Sequence, residues 1–249
     1  RLLNWQAPVA KACKQHNVDL TVIDCGLYGD GLHPQSNFIC NKVAQGTRDF
    51  SMMPAMTREE LEAAVTIGVE QASLEMAEGA RVLSFGVLGL GNTTSAAAIT
   101  MALLDLTSES AVTNQNRHDP MLNRDKVDVL TQALALHRDQ LTDGWSIVQH
   151  LGGLEIAALM GAMAATAELN GMILVDGYAC SAALLALHSI YPAITDYAQF
   201  PHQSSHTAQH AIMKHLNARP LLNLHLALGE GTGSVLAWPL IVSAVDCLQ

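Results

Sequence analysis

Four short apolar segments, each ending in glycine and polar residues, constrain the fold of this chain more than any other feature. They cover residues 18–26, 81–91, 171–177 and 220–234. Apolar runs of this length, separated by longer helical patterns, are typical of buried strands in a parallel sheet. The alternation predicts an α/β fold with a mainly parallel sheet and helices on both faces. Ligands of such sheets bind beyond the carboxyl ends of the strands, so we expect the site there.

Between the strands, the sequence predicts helices and two long loops. Thr57 and Glu60 match a capping box, which opens a helix that runs to about residue 78. Residues 27–54 and 108–124 are polar or rich in glycine, proline and asparagine, which predicts irregular structure. Further helices are predicted from about Thr93, over residues 126–139, from residue 152, over residues 179–190 and over residues 235–248.

Length and charge bound the class of protein. The 249 residues suffice for a sizeable core, and we treat residues 1–249 as a single α/β domain. The net charge is −10 and there is no basic stripe, which argues against a nucleic-acid partner. Because the chain begins with Arg1 rather than methionine, we expect it to be part of a longer protein.

Cysteine usage and hydropathy indicate the compartment. The five cysteines are scattered without a C-x-x-C pair, as expected for reduced thiols in a cytoplasmic protein. The longest apolar helix, residues 156–167, is bracketed by Glu155 and Glu168 and is too short to cross a bilayer. We therefore expect a cytoplasmic protein with no membrane partner.

The loop after the second predicted strand has glycines spaced as G-x-x-G-x-G. Gly86, Gly89 and Gly91 match neither the dinucleotide fingerprint nor the phosphate loop that ends in Gly-Lys-Ser/Thr. Glycines let the backbone approach a ligand, and the N–H groups at a helix start favour an anion. Asn92, Thr93 and Thr94 are predicted to cap the helix and add donors. The alternative is a well-capped helix packed tightly on a sheet, and the loop alone leaves both interpretations open.

Three ionisable residues outside this loop are candidates for chemistry. Glu230 lies between glycines at a predicted strand end, where it can act as a general base or cap the following helix. Lys126 stands alone in a helical pattern, either neutralising a phosphate or facing solvent. Asp176 ends the third strand, where it shapes the loop first and contacts a ligand second.

Histidines recur every four residues at His202, His206 and His210. This spacing is compatible with a metal site, but zinc sites need a complete tetrahedral ligand set. Pro201 precedes the run and its first part reads as a loop, so the three rings do not share one helix face. We interpret them as capping or solvated histidines and predict no metal.

Six stretches together resemble one family. The strings DCGLYGD, PAMTREE, GLGNTTSAAA, GGLEIAALMGA, LVDGY and LGEGTGS occur in the order found in nicotinate-nucleotide:dimethylbenzimidazole phosphoribosyltransferases of cobalamin biosynthesis. The resemblance runs over nearly the whole chain, and GLGNTTSAAA and LGEGTG are long and unusual strings.

The resemblance implies a Rossmann-like sheet, a homodimer and a pentosyl transfer without cofactor or metal. The phosphoribosyl group of nicotinate mononucleotide would pass to 5,6-dimethylbenzimidazole or a related aromatic base, releasing nicotinate and forming α-ribazole 5′-phosphate. The family's catalytic base falls on Glu230, and its phosphate contacts fall on Gly89, Lys126 and Ser204. The other motif positions implied in substrate binding are Leu90, Gly91, Asn92, Thr93, Gly152, Gly153, Asp176 and Leu228.

The chain departs from the family pattern at three motif positions. Val87 and His206 each stand where the family carries a glutamate, and residues 114–118 (NQNRH) stand where it carries a glycine-rich GRGTG run. We also expect the family's N-terminal segment to be missing from this chain. These departures leave a second interpretation open, a catalytically impaired paralogue that serves as a nucleotide-binding or partner subunit. A third, a nicotinamide-dependent oxidoreductase, rests only on the α/β pattern and lacks the dinucleotide fingerprint.

Overall fold

A computed structural model describes residues 6–29, 37–112, 120–223, 226 and 228–248 of the chain. Its strands are β1 (Val22–Asp24), β2 (Phe38–Cys40), β3 (Val82–Phe85), β4 (Met172–Val175) and β5 (Ala198–Gln199). Its α-helices are α1 (Pro8–His16), α2 (Arg58–Ala77), α3 (Asn92–Leu104), α4 (Ser108–Val112), α5 (Pro120–His137), α6 (Gly144–Leu151), α7 (Leu154–Glu168), α8 (Gly177–His188), α9 (Thr207–His215) and α10 (Thr232–Asp246). Short 3-10 helices occupy Arg138–Gln140 and Pro192–Tyr197.

All strand pairs in the described part of the chain are parallel, which confirms the predicted α/β class. The strands divide into two sheets: β1 pairs with β2, and β4 lies between β3 and β5. In the larger sheet Phe85 lies opposite Val175, so β3 and β4 end at the same level. The segments that follow these two strands therefore leave from one edge, where parallel sheets bind ligands.

The core is built around β4 and three alanine-rich helices. Ile173 and Val175 of β4 have no exposed surface. α7 and α8 are buried on almost every side, as is usual for helices that are apolar all round. α3 and α7 each pack on α8, and small side chains let these backbones approach closely.

The α2–α7 contact depends on two glycines. A Cβ added at Gly68 would collide with the carbonyl oxygen of Ala158, and one added at Gly161 would collide with that of Val65. The two helix backbones therefore touch directly. This contact fixes the position of α7, whose first turn lies in the candidate site described below.

The capping box of α2 is confirmed. The backbone N–H of Glu60 donates to Thr57 Oγ1 at 3.2 Å, and the backbone N–H of Thr57 donates to Glu60 Oε2 at 2.7 Å. Two N–H groups that the helix itself leaves unpaired are thereby satisfied. Among the described residues, no helix has the length and apolarity to cross a membrane.

Both predicted loops contain regular structure, so these two predictions are wrong. β2 lies inside residues 27–54 and pairs with β1. Within residues 108–124, α4 forms a short helix and α5 begins at Pro120, which suits a first helical position because its φ is fixed and it needs no N–H partner. Residues 30–36 and 113–119 of these segments lie outside the described residues.

The predicted fourth strand, residues 220–234, is also not found where the structure describes it. Leu222 forms one isolated parallel bridge with His202, and α10 already begins at Thr232. Residues 224, 225 and 227 lie outside the described residues. The third strand of the larger sheet is instead β5, which contains only two residues and carries no recognisable sequence pattern.

Candidate active site

The glycine loop, residues 86–91, joins the end of β3 to the start of α3. Gly91 has a φ of 85° and occupies the N-cap position, without a side-chain hydrogen bond to the helix. Capping by Asn92, Thr93 or Thr94 is therefore a wrong prediction: the helix already begins at Asn92. Leu90 is fully exposed. The loop thus presents glycine backbone and a helix start, an arrangement that favours anions.

Glu230 lies in a tight turn that contacts the glycine loop. Gly229, Glu230 and Gly231 have φ values of 67°, 60° and 86°, and for a residue with a Cβ this conformation costs about 1–2 kcal/mol. A Cβ at Gly86 would lie 2.5 Å from the carbonyl carbon of Glu230, so only glycine fits. Glu230 Oε2 is buried and has no hydrogen-bond partner among the described residues. The strained turn therefore holds an unpaired carboxylate oxygen beside the glycine loop.

A cavity of about 930 Å³ connects these two features. It is lined by the glycine loop, Asn92, Glu230, the end of β1, and Gly153 and Glu155 at the start of α7. Pockets of about 300–1,000 Å³ are typical of small-molecule sites. The cavity lies beyond the carboxyl ends of β1 and β3, where the sequence predicts the site.

A buried ion pair supports the neighbouring part of this edge. Asp176 follows β4, and its Oδ1 lies 2.7 Å from His202 Nε2, with both side chains at most 6% exposed. A Cβ at Gly233 would collide with the imidazole ring, so the first turn of α10 packs on the pair. The hydroxyls of Thr232 and Ser234 are buried there without partners among the described residues. Unpaired buried polar atoms are uncommon, and their presence indicates a surface that a ligand can satisfy.

Lys126 and Ser204 belong to a third polar region. Lys126 precedes Val129, a residue of the cavity wall, by one turn of α5. Burial lowers the pKa of Lys126. Burial, together with the charges of Lys126 and His210, lowers the pKa of His206, which places His206 near Lys126. The backbone N–H of His206 donates to Ser204 Oγ at 3.3 Å.

The three regularly spaced histidines make different contacts. His202 pairs with Asp176, and the ring of His206 stacks on Tyr178 with 5.4 Å between centroids. His210 Nε2 lies 2.9 Å from the carbonyl oxygen of residue 204. Only His210 lies within α9, and His206 is its N-cap residue. Across the described ranges, no three histidine, cysteine or acidic side chains come together as metal ligands.

Comparison with known proteins agrees with this geometry. A family model described as a phosphoribosyltransferase matches residues 1–249, the whole chain. The chain belongs to this family. Its curated relatives include the nicotinate-nucleotide–dimethylbenzimidazole phosphoribosyltransferases of Shewanella loihica and Photobacterium profundum. The first is 38% identical over 97% of this chain and 70% of the relative, and the second is 39% identical over 93% and 68%.

The fold of the chain is that of a solved family member. The crystal structure of CobT from Thermus thermophilus superimposes with a TM-score of 0.93 at 34% identity. The match covers 98% of this chain and 72% of the other. At this identity and coverage the likeness extends beyond fold to the family itself.

The structure brings only some of the phosphoribosyltransferase motif residues into the cavity wall. Those that line the cavity are Gly89, Leu90, Gly91, Asn92, Gly153 and Glu230. Those outside its lining are Thr93, Lys126, Gly152, Asp176, Ser204 and Leu228. The glycine at position 152 is explained by packing, because a Cβ there would lie 2.6 Å from the carbonyl oxygen of Val148. The substrate contacts assigned to all these residues remain predictions.

Sequence reasoning misses the contact of His202 with Asp176 and the position of Glu155 in the cavity wall of this phosphoribosyltransferase. In the sequence His202 is only one of three spaced histidines, and its partner Asp176 lies 26 positions away in the chain. In the sequence, Glu155 is only the charged residue that precedes an apolar helix. In the structure, it lines the cavity. A carboxylate two residues after a Gly-Gly pair, in the first turn of a helix, is the signal that could have identified it.

The Asp176–His202 pair should make stability depend on pH. Burial lowers the pKa of His202, but the hydrogen bond and charge of Asp176 raise it, and the net pKa lies above its usual value. Protonated His202 therefore stabilises the fold below about pH 6.5, and this contribution is lost as pH rises through the raised pKa. We expect the free energy of unfolding of the parent to fall more between about pH 6 and pH 8 than that of a His202→Gln variant.

Urea denaturation at the two pH values measures this difference. A His215→Gln variant is the control, because His215 is exposed on α9. It should show the same pH dependence as the parent. A His202→Gln variant that also follows the parent would show that the pair does not titrate in this range.

Proposed function

We propose that the chain transfers the phosphoribosyl group of nicotinate mononucleotide to 5,6-dimethylbenzimidazole or a related aromatic base, in cobalamin biosynthesis. The observation that supports this most directly is the unpaired carboxylate oxygen of Glu230, held by a strained turn against the glycine loop in a nucleotide-sized cavity. Family membership and the names of the relatives support the substrates.

The proposed reaction needs a base and no other reactant. A ring nitrogen of the benzimidazole uses its lone pair to form a bond to the ribose C1′ atom. The bond from C1′ to the pyridinium nitrogen breaks, and its electron pair leaves with nicotinate. The second ring nitrogen of the acceptor then loses its proton to the carboxylate of Glu230. A positioned general base of this kind typically contributes about 10²- to 10⁴-fold in rate.

The substrate phosphate is assigned to the glycine loop together with Lys126 and Ser204. An anion is favoured by the glycine backbone and by the start of α3. Lys126 adds the positive charge that the loop itself lacks, from the turn of α5 next to the cavity wall. Ser204 adds a hydroxyl and is held in place by its backbone N–H, which donates to Gln209 Oε1 at 2.8 Å.

Mixing the protein with nicotinate mononucleotide and 5,6-dimethylbenzimidazole tests the proposal. The expected products are nicotinate and α-ribazole 5′-phosphate, separated by chromatography. Nucleotide binding without either product would instead favour the impaired paralogue, for which the apolar Val87 in the cavity wall is the specific argument. Absence of both binding and turnover would overturn the proposal.

We further propose that the protein works as a cytoplasmic homodimer. α10 leaves three large apolar side chains, Leu236, Leu240 and Val245, exposed along one helix, and exposed apolar surface is typical of an interface between subunits. Sedimentation analysis at micromolar concentration measures the assembly state. A monomer under those conditions would overturn the proposed dimer without affecting the proposed reaction.

A further inference from the structure

Glu155 lines the cavity and belongs to the first turn of α7. Its negative charge helps to raise the pKa of Cys25, after burial, to about 12, and it also contributes to the raised pKa of Cys180. Cys25 follows β1, and the thiol of Cys180 donates to the carbonyl oxygen of Phe85 at the end of β3. Glu155 therefore lies where the ends of two strands from different sheets meet.

The chain leaves room for this carboxyl group. A Cβ added at Gly153 would lie 2.6 Å from Glu155 Cδ and would collide with both carboxylate oxygens. The carboxyl group therefore folds back over Gly153 at the start of the helix. Burial raises the pKa of Glu155. Among the described residues, no lysine, arginine or histidine forms an ion pair with it.

The cavity wall contains three aspartates, which either accept hydrogen bonds from nearby groups or face solvent. Asp24 accepts hydrogen bonds from two backbone N–H groups at 2.7 and 3.0 Å. Asp49 Oδ1 accepts hydrogen bonds from the backbone N–H and the hydroxyl of Ser51, and Asp19 is exposed. Glu155 accepts a hydrogen bond from its own backbone N–H, which leaves further lone pairs on its two oxygens, and Glu230 Oε2 has no partner in the described part of the chain.

The chemistry of the proposed substrates limits what a second carboxylate can bind. Nicotinate mononucleotide carries a phosphate and a carboxylate, which repel another anion. The hydrogen-bond donors that the two substrates offer are one ring N–H of the benzimidazole and the two ribose hydroxyls. The ring N–H is assigned to Glu230 above. The hydroxyls therefore remain as donors for Glu155, which is half-buried in the cavity wall.

We propose that Glu155 accepts a hydrogen bond from a ribose hydroxyl of nicotinate mononucleotide and so positions the C1′ atom for attack. This inference rests on the proposed function, because it takes the nucleotide as the ligand. It gives the two cavity carboxylates different tasks: Glu230 takes the proton of the acceptor base, and Glu155 holds the sugar.

Calorimetric titration tests the contact without requiring turnover. The ligands are nicotinate mononucleotide and its 2′-deoxy and 3′-deoxy analogues, and the proteins are the parent, Glu155→Ala, Glu155→Gln and Glu168→Gln. Glu168 is exposed at the other end of α7 and serves as the control. A hydrogen bond to a charged group corresponds to about 10- to 150-fold in affinity, so Glu155→Ala should bind the intact nucleotide that much more weakly.

The analogues decide whether the contact is direct. If Glu155 binds a hydroxyl, removing that hydroxyl should weaken binding to the parent but hardly change binding to Glu155→Ala, because the two changes delete the same interaction. Equal losses for all three ligands would overturn the inference, as would no loss. If Glu155→Ala does not fold, the same comparison is made with Glu155→Met, which keeps the size of the side chain and has no oxygen acceptor.

Two further outcomes separate this inference from the proposed function. A parent that does not bind nicotinate mononucleotide would overturn both. A parent that binds and turns over, with a Glu155→Gln variant that binds normally but has lost turnover, would overturn only the inference, because Glu155 would then act on the proton and not on the sugar.

Discussion

Replacing Glu230 with glutamine should lower the turnover number about 10²- to 10⁴-fold and leave the affinity for nicotinate mononucleotide nearly unchanged. Glutamine has almost the same shape, so the turn from Gly229 to Gly231 and its contact with Gly86 should persist. The amide cannot take the proton of the benzimidazole ring. Steady-state kinetics give the turnover number, and calorimetry gives the affinity for the nucleotide.

A Glu78→Gln variant is the matched control, because Glu78 is exposed at the end of α2. It should behave as the parent in both measurements. The thermal midpoint of Glu230→Gln should also stay close to that of the parent. Turnover near the parent level in Glu230→Gln would remove the assignment of Glu230 as the base.

Replacing Lys126 with alanine should weaken nicotinate mononucleotide about 10- to 150-fold, and nicotinate riboside far less. A charge-assisted contact to an oxyanion is worth about 1.5–3 kcal/mol. The riboside lacks the phosphate and therefore cannot lose that contact. Calorimetric titration of both ligands into the parent and the variant measures the two ratios.

Lys214→Ala provides the comparison, because Lys214 is an exposed lysine of α9. It should change neither affinity. If Lys126→Ala weakens both ligands by the same factor, Lys126 supports the fold of the site and does not bind the phosphate.

The parts of the fold that could be predicted from sequence have local causes. The capping box at Thr57 and Glu60 spans four residues, and its hydrogen bonds are those the pattern predicts. The strands β3 and β4 are continuous apolar runs that end in glycine or aspartate. β2 and β5 could not be predicted in this way, since two or three residues carry no periodicity and are strands only because a partner strand lies alongside.

In the candidate site, too, the residues that could be predicted from sequence are those with a local cause. Glu230 could be identified because three neighbouring residues, two of them glycine, mark a special turn. His202 and Glu155 could not, because their meaning depends on what lies next to them after folding. His202 acquires its partner from the end of β4, and Glu155 is drawn into the cavity by the packing of α7 on α2. Contacts between distant segments leave no trace in a single short stretch.

The close fit of Gly86 against Glu230 has a mechanical consequence. The first residue of the glycine loop and the backbone of the proposed base touch, with no side chain between them to absorb a shift. A movement of the loop towards a phosphate is therefore transmitted to the carboxylate. Occupancy of one end of the substrate can thus set the alignment of the group that acts at the other end. In the proposed reaction we therefore expect bound phosphate to align the base as well as to anchor the donor.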